Sequence, residues 1–282
     1  MPTALVTVPC VAEFGWELMS WQGYLRAESK HYDRVVISST EAMAPLYADF
    51  SWRFLAHNIT GLRDCLLIRK VDNPEEKVRA ENAVSCIQEE LRSEGYTVSV
   101  FNTLKAVPIS KQEFIRFGNP FHSSKIYDLL VHARNKMSRD KYYGCYNWPL
   151  KKWNHMCSAL SKRGFTVGAI GTPRDALLPA QVDDLRGLPL TVVMDMMATA
   201  KLVVGPSSGP MHLASLCGAP HVVWTGNKYS TAIGGNNRER YEHKWNPFKT
   251  PCCVYAQDPD PDEAIMTSKV LTALQTLRRS PK

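Results

Sequence analysis

The chain has 282 residues, 44% of them hydrophobic, and carries a formal net charge of +7, which favours acidic partners such as nucleotides, phosphorylated lipids or nucleic acid. It contains no apolar run of 18 residues and no basic leader at its N-terminus, so we expect a soluble, cytoplasmic protein without a transmembrane segment or signal peptide. Its eight cysteines form no C-x-x-C pair, which argues against a zinc site or a disulfide framework.

The first predicted elements form a βαβ unit. Apolar patterning predicts a strand over Thr3–Val8, a helix from Trp16 to about Ala27 and a second strand over Arg34–Ser38. The loop between the first strand and the helix contains two carboxylates, on Glu13 and Glu17, beside flat apolar side chains. These side chains, which suit a sugar or a base, belong to Phe14, Trp16 and Trp21.

The following elements extend the same sheet. Asn73-Pro-Glu-Glu has the cap, proline and early acids of a helix start, and the predicted apolar face holds Val78, Ala83, Val84, Ile87 and Leu91. Gly95 precedes a strand over Tyr96–Phe101. The stretch Val107–Ser124 contains proline and glycine without a clean period, and we interpret it as an interdomain linker.

The strand and helix alternation restarts after this linker. Ile126–Val131 and Thr166–Ile170 are predicted strands, separated by a helix that Asn147 is expected to cap. Arg134 and Lys136 follow the first of these strands, where their cations suit a diphosphate, and Gly171 follows the second. A solvated basic loop and an ordinary turn are the alternative interpretations.

The most informative segment is Lys201–Trp224, which reads as strand, polar turn, short helix and second strand. The turn offers the hydroxyls of Ser207 and Ser208, a close backbone approach at Gly209 and the positive end of a helix dipole, and His212 lies one turn further on. This pattern predicts an anion site, most simply a phosphate site. A purely structural turn is the alternative.

Two features lie beyond this segment. A loop rich in glycine, asparagine and cations contains Lys228, which can contact a phosphate or remain in solvent. Asp258-Pro-Asp-Pro-Asp262 has a D-x-D spacing, but we attribute it to the start of a helix over Pro261–Arg279 with Asp260 as N-cap, and therefore predict no metal site. Residues 261–282 are expected to pack back across the domains.

The run Ser207-Ser-Gly-Pro-Met-His-Leu-Ala214 resembles the D-S-G-x-x-H-L-A pattern of heptosyltransferase-like (family nine-like) nucleotide-sugar glycosyltransferases of the GT-B fold, with Ser207 in place of the acidic residue. The resemblance covers about residues 125–255 and, more weakly, the first 30 residues. It implies an α/β fold of two Rossmann-like domains facing each other. Residues 1–120 would bind the acceptor, and residues 121–260 would bind the nucleotide sugar.

The resemblance also implies an enzyme, and together with the side-chain chemistry described above it suggests the residues of the site. Glu13, with Glu17 as second choice, would be the catalytic base of a metal-independent, inverting sugar transfer from a nucleoside-diphosphate sugar, without a further cofactor. Phe14, Trp16 and Trp21 would contact the acceptor. The donor would be bound by a set of polar and glycine residues: Arg134, Lys136, Gly171, Ser207, Ser208, Gly209, His212 and Lys228.

Several alternatives stay open from the sequence. The acceptor is either a saccharide or glycolipid, or a hydroxymethylated pyrimidine in DNA, as in phage DNA modification, so the location would be a bacterial or phage-infected cytoplasm. The sequence leaves open the transferred sugar, its nucleotide, a retaining outcome in place of the inverting one, and the oligomeric state. A binding protein for nucleotide sugars or nucleic acid that lacks catalysis is the non-enzymatic alternative. The missing G-x-G-x-x-G, Walker A and G-x-S-x-G patterns argue against dinucleotide, NTPase and esterase chemistry.

Overall fold

The computed structural model describes residues 1–64, 67–102, 107–123, 125–135, 147–226, 235–256 and 260–277. The chain divides into two compact units, Met1–Phe114 and Ile115–Lys282. The boundary between the units lies inside Val107–Ser124, the predicted interdomain linker. Each unit contains its own parallel β-sheet.

The first unit is built on a four-stranded sheet in the order β3-β2-β1-β6, with every neighbouring pair parallel. Its strands are β1 (Thr3–Thr7), β2 (Arg34–Thr40), β3 (Arg53–His57) and β6 (Thr97–Phe101). A separate antiparallel pair consists of β4 (Gly61–Asp64) and β5 (Leu67–Val71). Short 3₁₀ helices lie at Glu41–Leu46, between β2 and β3, and at Ile109–Lys111, after β6.

The helix α3 (Pro74–Ser93) covers this sheet. It buries Ala80, Val84, Ile87 and Leu91, three of which pack with Ala4, Val6 and Val36 of the strands. The predicted face was wrong at two positions, because Val78 and Ala83 are exposed. Because the buried residues recur at every third or fourth position, they form one apolar stripe along the helix.

The segment after β1 is helical but irregular. It consists of α1 (Phe14–Trp16), a π-helical turn (Glu17–Trp21) and α2 (Gln22–Ser29). A π-helical turn inserts an extra residue into the helix and changes which side chains face inward. All five residues of the turn are buried, including the carboxylate of Glu17.

The second unit is built on a six-stranded sheet in the order β12-β11-β10-β7-β8-β9, again with parallel neighbours. Its strands are β7 (Leu129–Val131), β8 (Val167–Ala169), β9 (Asp183–Asp184), β10 (Leu202–Pro206), β11 (His221–Trp224) and β12 (Cys252–Tyr255). Its helices are α4 (Leu150–Ser161), α5 (Leu190–Thr199), α6 (Gly209–Leu216), α7 (Asn237–Glu239), which continues into a π-helical turn (Arg240–Lys244), and α8 (Glu263–Thr276).

The core of the second unit contains a cluster of three buried tryptophans. The ring centroids of Trp148 and Trp224 are 4.6 Å apart, and Trp153 lies 5.2 Å from Trp148 and 5.4 Å from Trp224. Aliphatic side chains of the strands and of α4 surround the cluster. The apolar burial of these large rings gives this unit a substantial part of its stability.

The last helix belongs to this same core. Met266, Val270 and Ala273 of α8 are buried in it, whereas the sequence-based division sets residues 261–282 apart from the second domain. The predicted cap of α8 was wrong, because Asp262 and not Asp260 occupies the N-cap position. The Asp262 Oδ1 atom accepts hydrogen bonds from the backbone N–H groups of Ala264 and Ile265 at 2.9 and 3.0 Å.

Candidate active site

The carboxyl edge of the second sheet collects most of the predicted donor-binding residues. Parallel strands end at the same edge, and β7 lies between β8 and β10 in the sheet. Arg134 follows β7, Gly171 follows β8, and the turn Ser207–Gly209 follows β10. This is the position where open parallel α/β sheets bind their ligands. Lys136 and Lys228, also predicted to bind the donor, lie outside the described residues.

The turn Ser207–Gly209 joins β10 to α6. The Ser207 N–H donates to the carbonyl of Trp224 at 3.0 Å, which ties the turn to β11. Ser208 is the N-cap residue, but its hydroxyl donates backward to the Pro206 carbonyl at 2.9 Å instead of capping the helix. Gly209 opens α6, where a backbone N–H has no acceptor within the helix. The half-buried turn therefore presents a helix N-terminus suited to an anion.

Arg134 places a cation at the same edge. Its side chain is 7% exposed, and its Nη1 atom donates to Asn147 Oδ1 at 3.0 Å. A backbone bridge with Ala176 fixes the main chain at this residue. The sequence predicts Asn147 as the cap of α4, which was wrong: Pro149 occupies the N-cap position, and Asn147 binds Arg134. A guanidinium keeps its charge at any physiological pH.

Gly171 has a packing role. Its φ of +122° lies in a region that side chains rarely adopt, and a Cβ atom there would be 2.9 Å from Ala176 Cβ and 3.0 Å from His132 Nδ1. Glycine is required because the chain after β8 closes tightly over these two residues. Contact between Gly171 and the donor stays a prediction.

Two histidines at this edge are uncharged. His212 is buried, with its ring stacked on Tyr241 at 5.0 Å and against the edge of Trp245 at 4.6 Å. Burial lowers its pKa to about 3. The Nδ1 atom of His132 lies 3.3 Å from the Ile170 carbonyl, and burial lowers the pKa of this histidine to about 4. A neutral His212 can offer an anion a hydrogen bond but no positive charge.

We expect the second unit to lose stability on mild acidification. His132, His212 and His221 are buried, and burial lowers their pKa values to about 4, 3 and 4. The unfolded chain protonates them near pH 6.5, so the stability present above that pH is lost as the pH falls toward 4. Three histidines give a slope of up to about 4 kcal/mol per pH unit in the free energy of unfolding.

Urea unfolding followed by tryptophan fluorescence at several pH values between 7.5 and 5 measures this slope. His221→Gln should reduce the slope by about a third, because it removes one of the three buried histidines. An unfolding free energy that stays constant over this range would contradict the prediction.

The predicted catalytic loop lies in the first unit. Glu13 is half-buried in the N-cap position of α1, and its carbonyl accepts hydrogen bonds from the N–H groups of Trp16 and Glu17 at 2.9 and 3.1 Å. Phe14 and Trp16 are also half-buried, so parts of both rings are accessible. Trp21 is 1% exposed. Enclosure of the ring in the core argues against its predicted contact with an acceptor.

Glu17 is a buried structural carboxylate. It is 2% exposed, and its Oε1 atom accepts hydrogen bonds from Ser39 Oγ at 2.6 Å and from the Tyr47 hydroxyl at 2.8 Å. Burial, followed by the nearby Glu17 charge, raises the pKa values of Cys10 and Tyr47 well above their usual range. An enclosed carboxylate that already binds two hydroxyls is poorly placed to take a proton from an acceptor. The structure therefore argues against Glu17 as the second choice of base.

No metal-binding cluster is found among the described residues, counting groups of three or more histidine, cysteine or acidic side chains. Of the D-x-D acids in the described chain, Asp260 pairs with Lys152 at 2.8 Å and Asp262 caps α8. Both carboxylates therefore have structural partners.

Part of the chain matches a known protein family. Residues 146–241 match the family model described as Glycosyltransferase family 9 (heptosyltransferase). Comparison with curated protein sequences gives no match.

Among solved structures, a family 9 glycosyltransferase from Veillonella parvula has a TM-score of 0.62 and 11% identity, covering 97% of each chain. The ADP-heptose LPS heptosyltransferase II of E. coli has a TM-score of 0.57 and 16% identity, covering 97% of this chain and 98% of its own. The E. coli heptosyltransferase WaaC with ADP has a TM-score of 0.52 and 12% identity, covering 96% and 99%.

These similarities confirm the α/β fold class, with parallel sheets, and show the fold of the GT-B glycosyltransferases. The predicted resemblance to heptosyltransferase-like enzymes is likewise confirmed, and the family match includes the turn Ser207–Gly209. The family match supports a glycosyltransferase. Within the described residues, every helix is too short or too polar to cross a membrane.

Proposed function

We propose that the protein transfers a sugar from a nucleoside-diphosphate sugar to a hydroxyl group of an acceptor. The observation that carries this proposal is the turn Ser207–Gly209 at the N-terminus of α6, which lies at the carboxyl edge of the second sheet and inside the family match. Arg134 adds a cation at the same edge. A diphosphate fits the positive end of a helix and a guanidinium better than an uncharged ligand does.

The proposed chemistry is a single in-line displacement that inverts the anomeric centre and uses no metal. The acceptor oxygen forms a bond to the anomeric carbon while the bond from this carbon to the diphosphate breaks. The acceptor proton passes to the carboxylate of Glu13. The negative charge that grows on the departing diphosphate is stabilised by Arg134, the Ser207 hydroxyl and the Gly209 N–H.

The neighbours suggest which donor and acceptor to test first. One has a name that includes ADP-heptose and LPS, and another was solved with ADP. We therefore propose an ADP-sugar donor and a saccharide acceptor. The net charge of +7 suits a phosphorylated saccharide, and it also suits hydroxymethylated DNA, which the same assay can detect.

Release of nucleoside diphosphate tests the function. The full chain is incubated in chelator with an ADP-, UDP- or GDP-sugar. Each donor is tested without acceptor, with oligosaccharide and with hydroxymethylpyrimidine DNA. We expect acceptor-dependent release in chelator with an ADP-sugar and oligosaccharide. Release that needs an added divalent cation would overturn metal independence. Release stimulated by DNA would overturn the saccharide acceptor. The absence of both release and donor binding would overturn the function.

A further inference from the structure

The sequence gives no reason to single out Tyr241, but the structure connects it to the turn Ser207–Gly209. Tyr241 lies in the π-helical turn that follows α7, and its side chain is fully buried. Its ring stacks on His212 with an interplanar angle of 19° and contacts the edge of Trp245 at 5.1 Å. Because the ring is fully buried and contacts both of these neighbours, the phenol oxygen has a fixed position.

The phenol oxygen binds two consecutive residues of the turn. It donates a hydrogen bond to Ser207 Oγ at 2.9 Å and accepts one from the Ser208 N–H at 3.2 Å. The start of α7, about five residues before Tyr241, is itself fixed by a capping box between Asn236 and Glu239. The turn is therefore held in place by a buried side chain that is more than 30 residues away in sequence.

These bonds determine what the turn offers a ligand. The Ser208 N–H is bonded to Tyr241, and the Ser208 hydroxyl proton is bonded to the Pro206 carbonyl. Ser207 Oγ accepts the Tyr241 proton, which leaves the Ser207 proton available for donation. A hydroxyl has a single proton to donate. The side-chain donor that the turn presents is thus Ser207, beside the Gly209 N–H.

We propose that Tyr241 is a positioning residue that directs the Ser207 hydroxyl as a hydrogen-bond donor toward the diphosphate of the nucleotide sugar. This inference rests on the proposed function. The chain of bonds runs from the Ser208 N–H through the Tyr241 phenol to the Ser207 hydroxyl, and hydrogen bonds in such a chain polarise one another. A proton offered in this way binds a charged phosphate oxygen more strongly than a neutral sugar hydroxyl, because hydrogen bonds to ionised acceptors are stronger.

The test compares Tyr241→Phe, Ser207→Ala and the double variant in the full chain. Phenylalanine keeps the ring that packs on His212 and removes only the phenol oxygen. Tyr127→Phe is the matched control, because Tyr127 is also buried and also donates a hydrogen bond, to Asp183 at 2.8 Å, but lies before β7 instead of after a strand. Calorimetry measures the Kd of ADP, UDP and GDP, and steady-state kinetics measures donor KM and kcat.

We expect Tyr241→Phe and Ser207→Ala each to weaken binding of the nucleoside diphosphate about 10-fold. The double variant should bind no more than about 2-fold more weakly than Ser207→Ala, because both substitutions break the same chain of bonds. Tyr127→Phe should bind like the wild type. A Tyr241→Phe protein with wild-type unfolding temperature and wild-type affinity would overturn the inference, as would effects that add in the double variant.

Ser207→Asp tests the kind of group that is recognised. A carboxylate at this position should repel a diphosphate and bind it more weakly than Ser207→Ala does. If position 207 instead contacts a sugar hydroxyl, Ser207→Asp should bind the nucleotide sugar at least as well as the wild type, and the inference is wrong. A wild-type protein that neither binds nor releases nucleoside diphosphate overturns the proposed function itself. This outcome is measured on the wild type, whereas failure of the Tyr241 inference is measured on the variants.

Discussion

Glu13→Gln is expected to lower kcat by about 100- to 10,000-fold, the range that a general base contributes. Glutamine keeps the size of the side chain but cannot take the acceptor proton. The N-cap geometry at this residue depends on its backbone carbonyl, which accepts from Trp16 and Glu17, so the local fold should be retained. Steady-state kinetics with saturating donor and acceptor measures the effect, and thermal unfolding checks the fold.

Glu17→Gln is the matched control in the same segment. Its carboxylate accepts from Ser39 and Tyr47 inside the core, and an amide in its place brings an N–H₂ group toward these two hydroxyls. We expect a loss of about 1–3 kcal/mol in stability and a small change in the kcat of the folded fraction. The assignment of the base to Glu13 would be wrong if Glu13→Gln retained its kcat, or if Glu17→Gln lost turnover while keeping wild-type stability.

The difference between these two carboxylates is not visible in the sequence. Both are found in the run Glu13-Phe-Gly-Trp-Glu17, and their spacing of four residues is compatible with one helical face. The structure separates them because the π-helical turn directs Glu17 inward, where it binds Ser39 of β2 and Tyr47, which follows the next 3₁₀ helix. A π-helical turn depends on such distant partners, and local patterning gives no signal for it.

Elements with strong local signals were predicted well. The strand-to-helix turn at 202–216 has an apolar β-branched run, serines, an early proline and a glycine stop, and the structure has β10, the turn and α6 at these positions. Gly218, which follows α6, has a φ of +69°, as a helix-terminating glycine requires. Each of these signals acts within a few residues, so the sequence alone was sufficient.

Elements that depend on distant contacts were missed. β3 contains arginine and histidine at its ends and shows no clean alternation, yet it pairs in parallel with β2. β12 has four residues and gains its definition from β11, its neighbour in the sheet. Asn147 looks like a helix cap because a proline and a helix follow it, but the side chain binds Arg134. Tertiary contacts override local preference at all three places.

The carboxyl edge of the second sheet combines one fixed cation with neutral groups. Burial keeps His132 and His212 uncharged near neutral pH, with pKa values of about 4 and 3. Of the predicted donor-binding residues that the structure describes, Arg134 is therefore the one with a full positive charge. The other hydrogen-bond donors at this edge are uncharged: they are hydroxyl groups and the N–H groups at the start of α6. Charge stabilisation of a departing diphosphate should consequently depend strongly on Arg134.

Arg134→Gln is accordingly expected to reduce kcat/KM for the donor about 100- to 1,000-fold, a loss typical of removing a group that stabilises transition-state charge. Arg134→Lys keeps the charge but loses the planar, two-pronged donor geometry, so its activity should lie between those of Arg134→Gln and the wild type. Arg163→Gln is the matched control, since Arg163 is exposed and donates to the Ala159 carbonyl at the end of α4.

The three arginine variants also separate two roles for the guanidinium. If Arg134 served only to hold Asn147 and the start of α4, Arg134→Gln would lower the unfolding temperature, and the folded protein would bind nucleoside diphosphate with wild-type affinity. If it binds the diphosphate, affinity falls in protein that is still folded, and the loss is smaller at high salt because ions screen the wild-type interaction. Wild-type kcat/KM in folded Arg134→Gln would exclude the guanidinium from the reaction and leave the start of α6 to bind the diphosphate.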